Sequence, residues 1–161
     1  MVEKNNLIQL YEGILETSPI FVRDLQLQDA VLSIDENKLT PKVDKIKKIG
    51  EEVIEVGHRI YFGELWDYID LGENTPVLTL TKSKKLKFTK EKYLKIGDKI
   101  IGITNPQTEK NRINPFLRYY KIRKKEAKEI ITQEIEGEKF HNFIIDKVVI
   151  GDSYLEKQDR I

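Results

Sequence analysis

The chain says one thing twice. Asp24-Leu-Gln-Leu-Gln-Asp-Ala-Val-Leu32 and Lys92-Tyr-Leu-Lys-Ile-Gly-Asp-Lys-Ile-Ile101 share the order Leu-x-Leu/Ile-x-Asp-x-Val/Ile-Leu/Ile, 69 positions apart. A repeat of this length means one packing problem solved in two places, which constrains the fold more than any local propensity. We expect Leu25 and Leu27 to point one way, Asp29 to sit at a bend, and Val31 and Leu32 to enter a strand. The second copy should superpose on the first by a pseudo-two-fold axis.

The rest of the sequence reads as short strands divided by turn residues. Leu7–Leu10 is a strand candidate closed by Glu12-Gly13, Ile14-Leu15 a further one, and Ser18-Pro19 a turn before Ile20–Val22. Asp35–Lys38 is a hairpin turn because Asp and Asn side chains bond their own backbone, and Lys42–Lys47, led by Pro41, is its return strand. Gly50–Gly57 predicts a separate short strand, and Gly63–Leu71 a central one, since large side chains fall on both of its faces. Leu78 and Leu80 alternate with Thr79 and Thr81; the turn Ser83–Lys85 follows. Phe116–Arg123 fits strand or helix. Ile130–Gly137 is a strand, and Phe140–Gly151 a hairpin centred on Asp146-Lys147. This pattern predicts an all-β single domain over residues 1–153 with a duplicated half. Residues 104–128 are expected as a basic loop or insertion and 154–161 as a polar tail that frays.

Composition narrows function mainly by exclusion. Twenty-eight basic and 27 acidic residues leave a net charge of +1, so attraction to nucleic acid or membrane has to be local. The chain has no cysteine, which removes disulfides, thiolate metal sites and a cysteine nucleophile together. Without a secretory leader or a long apolar run, the expectation is a cytoplasmic protein with no membrane partner.

Four blocks in order carry a resemblance to a known family. Phe21-Val-Arg-Asp-Leu-Gln-Leu-Gln-Asp-Ala-Val-Leu-Ser33, Asn74-Thr-Pro-Val-Leu-Thr79, Tyr93-Leu-Lys-Ile-Gly-Asp-Lys-Ile100, and Glu134-Ile-Glu-Gly137 through His141-Asn-Phe-Ile144 to Val148-Val-Ile150 resemble the blocks of inteins and other Hint domains. The resemblance spans almost the whole chain and implies a horseshoe-shaped β-fold built from two related halves. It also implies self-processing chemistry: a first-residue Cys or Ser nucleophile, a second-block His, a fourth-block Asp, and a terminal Asn that cyclises beside a penultimate His. A downstream Cys, Ser or Thr then receives the acyl group.

Carried over residue by residue, those positions are mostly occupied by other groups. Met1 stands at the nucleophile, Thr75 at the second-block His, Thr132 at the fourth-block Asp, and Gly151 and Asp152 at the penultimate His and terminal Asn. Only His141 and the Ser153 hydroxyl match, so His141, Asp152 and Ser153 are the catalytic candidates, as vestiges. The reading is an intein-like domain that has lost autoprocessing and serves as a binding or scaffold module for an unidentified protein partner. Residual cleavage between Asp152 and Ser153 is one alternative. A second is nucleic-acid binding through the basic, aromatic-interleaved run Lys110, Arg112, Phe116, Arg118, Tyr119, Tyr120, Lys121, Arg123, Lys124 and Lys125. His58 reads as a turn residue beside Gly57, and Asp67 and Asp70 as solvated strand ends rather than a cation site. No cofactor or metal is expected.

Overall fold

A computed structural model describes residues 2–4, 6–13, 16–104 and 110–158. Met1, Asn5, Ile14-Leu15 and residues 105–109 lie outside the described residues, as does the end of the tail from 159. Twelve strands run in the order β1 (Val2–Glu3), β2 (Leu7–Gly13), β3 (Glu16–Phe21), β4 (Ala30–Ile34), β5 (Pro41–Phe62), β6 (Asp67–Gly72), β7 (Pro76–Leu80), β8 (Leu86–Lys90), β9 (Lys99–Ile103), β10 (Leu117–Gly137), β11 (Asn142–Ile145) and β12 (Val148–Gly151), and a short helix α1 (Ser153–Glu156) follows. All described pairings are antiparallel. The hydrogen-bonded path runs β10-β1-β6-β5-β4-β2-β11-β12-β9-β7-β8, with β3 on β2, and β10 also pairs both β5 and β9. The fold is all-β.

The two repeat segments are built alike. Val22–Asp24 and Glu91–Tyr93 are each one 3-10 turn. Leu25 N–H donates to Val22 O and Leu94 N–H to Glu91 O, both at 3.0 Å. Gln26 N–H donates to the Asp29 carboxylate and Lys95 N–H to that of Asp98, both at 2.8 Å, so the aspartates close the bends. Beyond the bend, Asp29 O accepts from Ile46 N–H at 3.0 Å and Asp98 O from Ile122 N–H at 2.9 Å, tying each copy to a long strand. Those long strands, β5 and β10, pair with each other from Ile122↔Phe62 to Gly137↔Ile46.

Burial follows the repeat. Leu25, Leu94, Val31 and Ile100 enter one buried cluster, while Leu32 and Ile101, one residue on, enter the other, as a two-residue strand period requires. Leu27 and Ile96 depart from the sequence reading in both copies: they are 58% and 68% exposed, because each sits on the bend and not in the strand beyond it.

Several boundaries differ from those read in the sequence. Lys42–Lys47 and Gly50–Gly57 are parts of the single strand β5. Ser18-Pro19 lies inside β3, where Pro19 pairs with Gln9. Residues 63–66 are a hairpin turn, with Trp66 at φ 53°, and only Asp67–Gly72 is strand. The basic segment is no loop to 128: from Leu117 it is strand β10, held by β9 and then β5. The tail begins as helix α1 because Asp152 caps it.

Candidate functional site

The C-terminal half of the site is organised by two buried carboxylates. Asp44, on β5, accepts the backbone N–H groups of Lys139 (3.0 Å), Phe140 (2.9 Å) and His141 (3.4 Å), folding residues 138–141 around one anion. Gly137 lets this happen, since a Cβ there would lie 2.5 Å from Asp44 Oδ2. The loop ends at His141, itself at φ 60°. Asn142 then locks the site to the first half: its Nδ2 donates to Ile34 O at 3.0 Å and its Oδ1 accepts from Ile34 N–H at 2.9 Å.

Asp152 follows β12 and is 1% exposed. One oxygen accepts from Gly137 N–H at 2.8 Å and contacts His141 Nδ1 at 2.9 Å; the other accepts from Leu155 N–H at 3.0 Å as the helix cap. Burial pushes its carboxyl above the usual range, opposed by those N–H groups and by His141. The His141 ring stacks on Tyr154 with centroids 4.2 Å apart. Ser153, the third candidate, is buried, and its hydroxyl has no hydrogen-bond partner among the described residues.

The N-terminal half of the site converges on Gly72. Thr75 and Thr132 are both fully buried. Glu55 fills the space a Gly72 Cβ would need, with Thr75 Oγ1 3.6 Å from that point. Burial raises the Glu55 carboxyl, which lies beside the Thr132 hydroxyl. Glu55 was not singled out in the sequence, where its signal is only a Glu alternating with Val53 and Gly57. Met1 is outside the described residues, but Val2 pairs with Gln133 and with Leu71, next to Thr132 and Gly72. The two halves meet where a Cβ on Gly151 would lie 2.9 Å from Pro76. Among the described residues the processing positions are therefore neighbours: Thr75 and Thr132 lie about Glu55, Gly151 reaches Pro76 beside Thr75, and Asp152 touches His141. They bring together one imidazole, the carboxylates of Asp44, Asp152 and Glu55, and hydroxyls, while the side-chain amide of Asn142 is bonded to the Ile34 backbone.

The basic run is not presented as one face. Arg118 is 2% exposed, bonded to Glu64 at 3.1 Å and set over the Tyr120 ring. Tyr120 is buried and donates to Ile103 O; Lys125 donates to Glu91 O and Leu94 O. Tyr119 packs on a core cluster under Lys99, Lys124 pairs with Glu126, and Arg123 donates to Gly63 O. Lys110, Lys121 and Arg112 are exposed, Arg112 forming a backbone bridge with Arg118, and Phe116 is half-buried. Two other expectations are corrected. His58 lies within β5 against buried Glu91, 2.7 Å away, and Asp70 is 6% exposed, held by Arg59 and Lys128. Asp67 pairs with Lys147. Among the described residues no cluster of His, Asp and Glu could hold a metal, and no helix is long and apolar enough to cross a membrane.

No protein-family model matches the chain, and no curated protein does. Solved structures do. The DnaB intein from Synechocystis sp. PCC 6803 matches with a TM-score of 0.75 at 13% identity, over 94% of this chain and 97% of that one. An intein from a hyperthermophile matches at 0.74 and 14% identity, over 94% and 98%. The bacterial intein-like domain from Clostridium thermocellum matches at 0.68 and 11%, over 94% and 97%. The chain has the intein-like Hint fold.

Proposed function

We propose that this is an intein-like domain that no longer processes itself and persists as a binding or scaffold module, its two halves related by duplication. The observation that carries the reading is the use made of Asp152. At the position where self-excision would need a cyclising amide, a buried carboxylate instead caps helix α1 and is held by Gly137, Leu155 and His141. An ionised carboxylate is a poor nucleophile toward its own carbonyl, and Thr75 brings no proton-transfer group of the imidazole kind. Groups that work as a set lose most of the rate when one is lost, and here several differ.

Intact-mass measurement of the purified chain after prolonged incubation, with and without thiol, tests this. One full-length species, apart from loss of Met1, is the expected result. One observation favours a second reading, slow scission between Asp152 and Ser153: burial raises the Asp152 carboxyl beside His141. A product ending at Asp152, growing with time and abolished by Asp152→Ala or His141→Ala, would establish that reading in place of the first.

A further inference from the structure

Away from the processing residues, two cavities of about 560 Å³ and 430 Å³ share the side of Leu7, Tyr68 and Asp146. The first reaches Phe21 and the Arg59, Asp70, Lys128 cluster; the second is walled by Trp66. Trp66 is 52% exposed and Tyr68 51%, with Tyr61 bridging them at centroid distances of 6.4 and 6.0 Å. Exposed aromatic groups beside a cavity of this size are the kind of wall against which small molecules bind.

The cations around the cavities are each held by a carboxylate, while the half-buried Asp146 has no cation partner among the described residues. Arg59 and Lys128 both hold Asp70, at 2.8 and 3.0 Å, and Lys147 holds Asp67 at 3.0 Å. Asp146, at the junction of the two cavities, forms no ion pair among the described residues; its carboxylate receives only the Leu7 N–H, at 3.4 Å. Burial, with Asp70, Glu3 and Asp67 nearby, pushes it up to about 6, against the Leu7 N–H. A half-buried carboxylate without an ion-pair partner, beside exposed aromatic rings, is the complement of an organic cation.

We propose that the paired cavities bind a small organic ammonium ion with a flat apolar body, its nitrogen at Asp146 and its body against Tyr68, Trp66 and Leu7. The site is separate from Asp152 and His141, and it stands whether or not the chain processes itself. The cation it takes is one with a hydrophobic surface to bury against the aromatic walls.

Tryptamine is the probe, with tryptophol as its neutral counterpart, titrated into the full chain by calorimetry and by backbone amide shifts. Tryptamine should move the Tyr68, Trp66 and Asp146 amides and bind roughly tenfold more tightly than tryptophol, the worth of a charge-assisted hydrogen bond in a half-buried site. Asp146→Asn is a mild variant, because Asn accepts the φ of 44° found there and keeps an oxygen for the Leu7 N–H. It should remove the preference for tryptamine while leaving the amide spectrum elsewhere unchanged. The charged groups around Asp146 on β1, β5, β6 and β10 are Glu3, Arg59, Asp67, Asp70, Lys128 and Glu129, with Lys147 next to it in the chain, and Asp146 itself, pushed up to about 6, gives up its charge between pH 7 and 5. Tryptamine affinity should therefore fall as the pH drops from 7 to 5. Equal binding of amine and alcohol, an unchanged preference in Asp146→Asn, or no shift of these amides at millimolar tryptamine would each overturn the proposal.

Discussion

Residues 22–34 and 91–103 follow the same backbone path, yet one position within them has opposite chemistry. Val22 opens the first 3-10 turn and is 1% exposed; 69 residues on, Glu91 opens the second and is 0% exposed. The flanking conformations barely differ, with Phe21 at φ −66°, ψ 141° and Lys90 at φ −62°, ψ 141°. Even the incoming hydrogen bonds match: Val22 N–H donates to Asn6 O and Glu91 N–H to Thr75 O, both at 2.9 Å. The fold therefore does not require an apolar side chain here. It requires that a charge buried here be countered. Valine needs only its neighbours, whereas Glu91 recruits His58 Nδ1 at 2.7 Å and Lys125 Nζ at 2.9 Å, contacts that are short without being well-aligned hydrogen bonds.

The largest effect should come from stripping that charge of its partner. Lys125→Met removes a cation at Glu91 and the donor to Glu91 O and Leu94 O, and should cost about 3–5 kcal/mol in a urea melt at pH 7. Adding Glu91→Val, which makes the second turn resemble the first, should restore most of the loss. If the single variant costs less than about 1 kcal/mol, the buried charge is held by something other than Lys125, and the contrast between the halves loses its energetic content.

This comparison also shows what the sequence reveals and what it hides. The repeat is legible because Leu25/Leu94, Val31/Ile100 and Asp29/Asp98 do the same jobs in both copies, and hydrophobic order with a bend-forming Asp survives in one dimension. Leu27 and Ile96 repeat just as faithfully but point to solvent, since a bend breaks the alternation on which the inward reading rests. The length of β5 and β10 is hidden by the same rule. Over Glu51–Ile54 four successive residues are exposed, so no face alternates although Glu52–Ile54 pair with β10. Partners distant in sequence are hidden altogether: nothing near Arg118 announces Glu64, and nothing near His58 announces Glu91. At the site, the positions of Thr75, Thr132, His141 and Asp152 follow from the resemblance. Glu55 and the Asp44 anchor belong to no block and emerge only from the packing.

A smaller, symmetric effect is expected at the bends. Asp29→Ala and Asp98→Ala each delete one carboxylate acceptor at 2.8 Å on an exposed turn, and each should cost about 1 kcal/mol. Thermal melts of the two variants should agree within about 0.5 kcal/mol and add in the double variant, because the bends share no partner. Unequal costs would mean that matched geometry conceals different stability in the two halves.

The smallest effect breaks the symmetry again, at the residue before each aspartate. Gln28 has φ 70° and Gly97 φ 93°, so both copies need a left-handed residue and only the second supplies glycine. A Cβ on Gly97 would meet nothing within 4 Å, so Gly97→Ala carries no clash and its cost, about 1 kcal/mol, is purely conformational. In the reverse direction Gln28→Gly relieves the same strain but frees the unfolded chain and gives up the Gln28 Nε2 contact to Glu138 at 3.4 Å. The two terms oppose, and the net should lie within about 0.5 kcal/mol of zero. Measured side by side, a clear loss at Gly97 and almost none at Gln28 would show that the first half already bears the strain the second avoids. Equal losses would mean instead that the Gln28 side chain contributes as much as the strain costs.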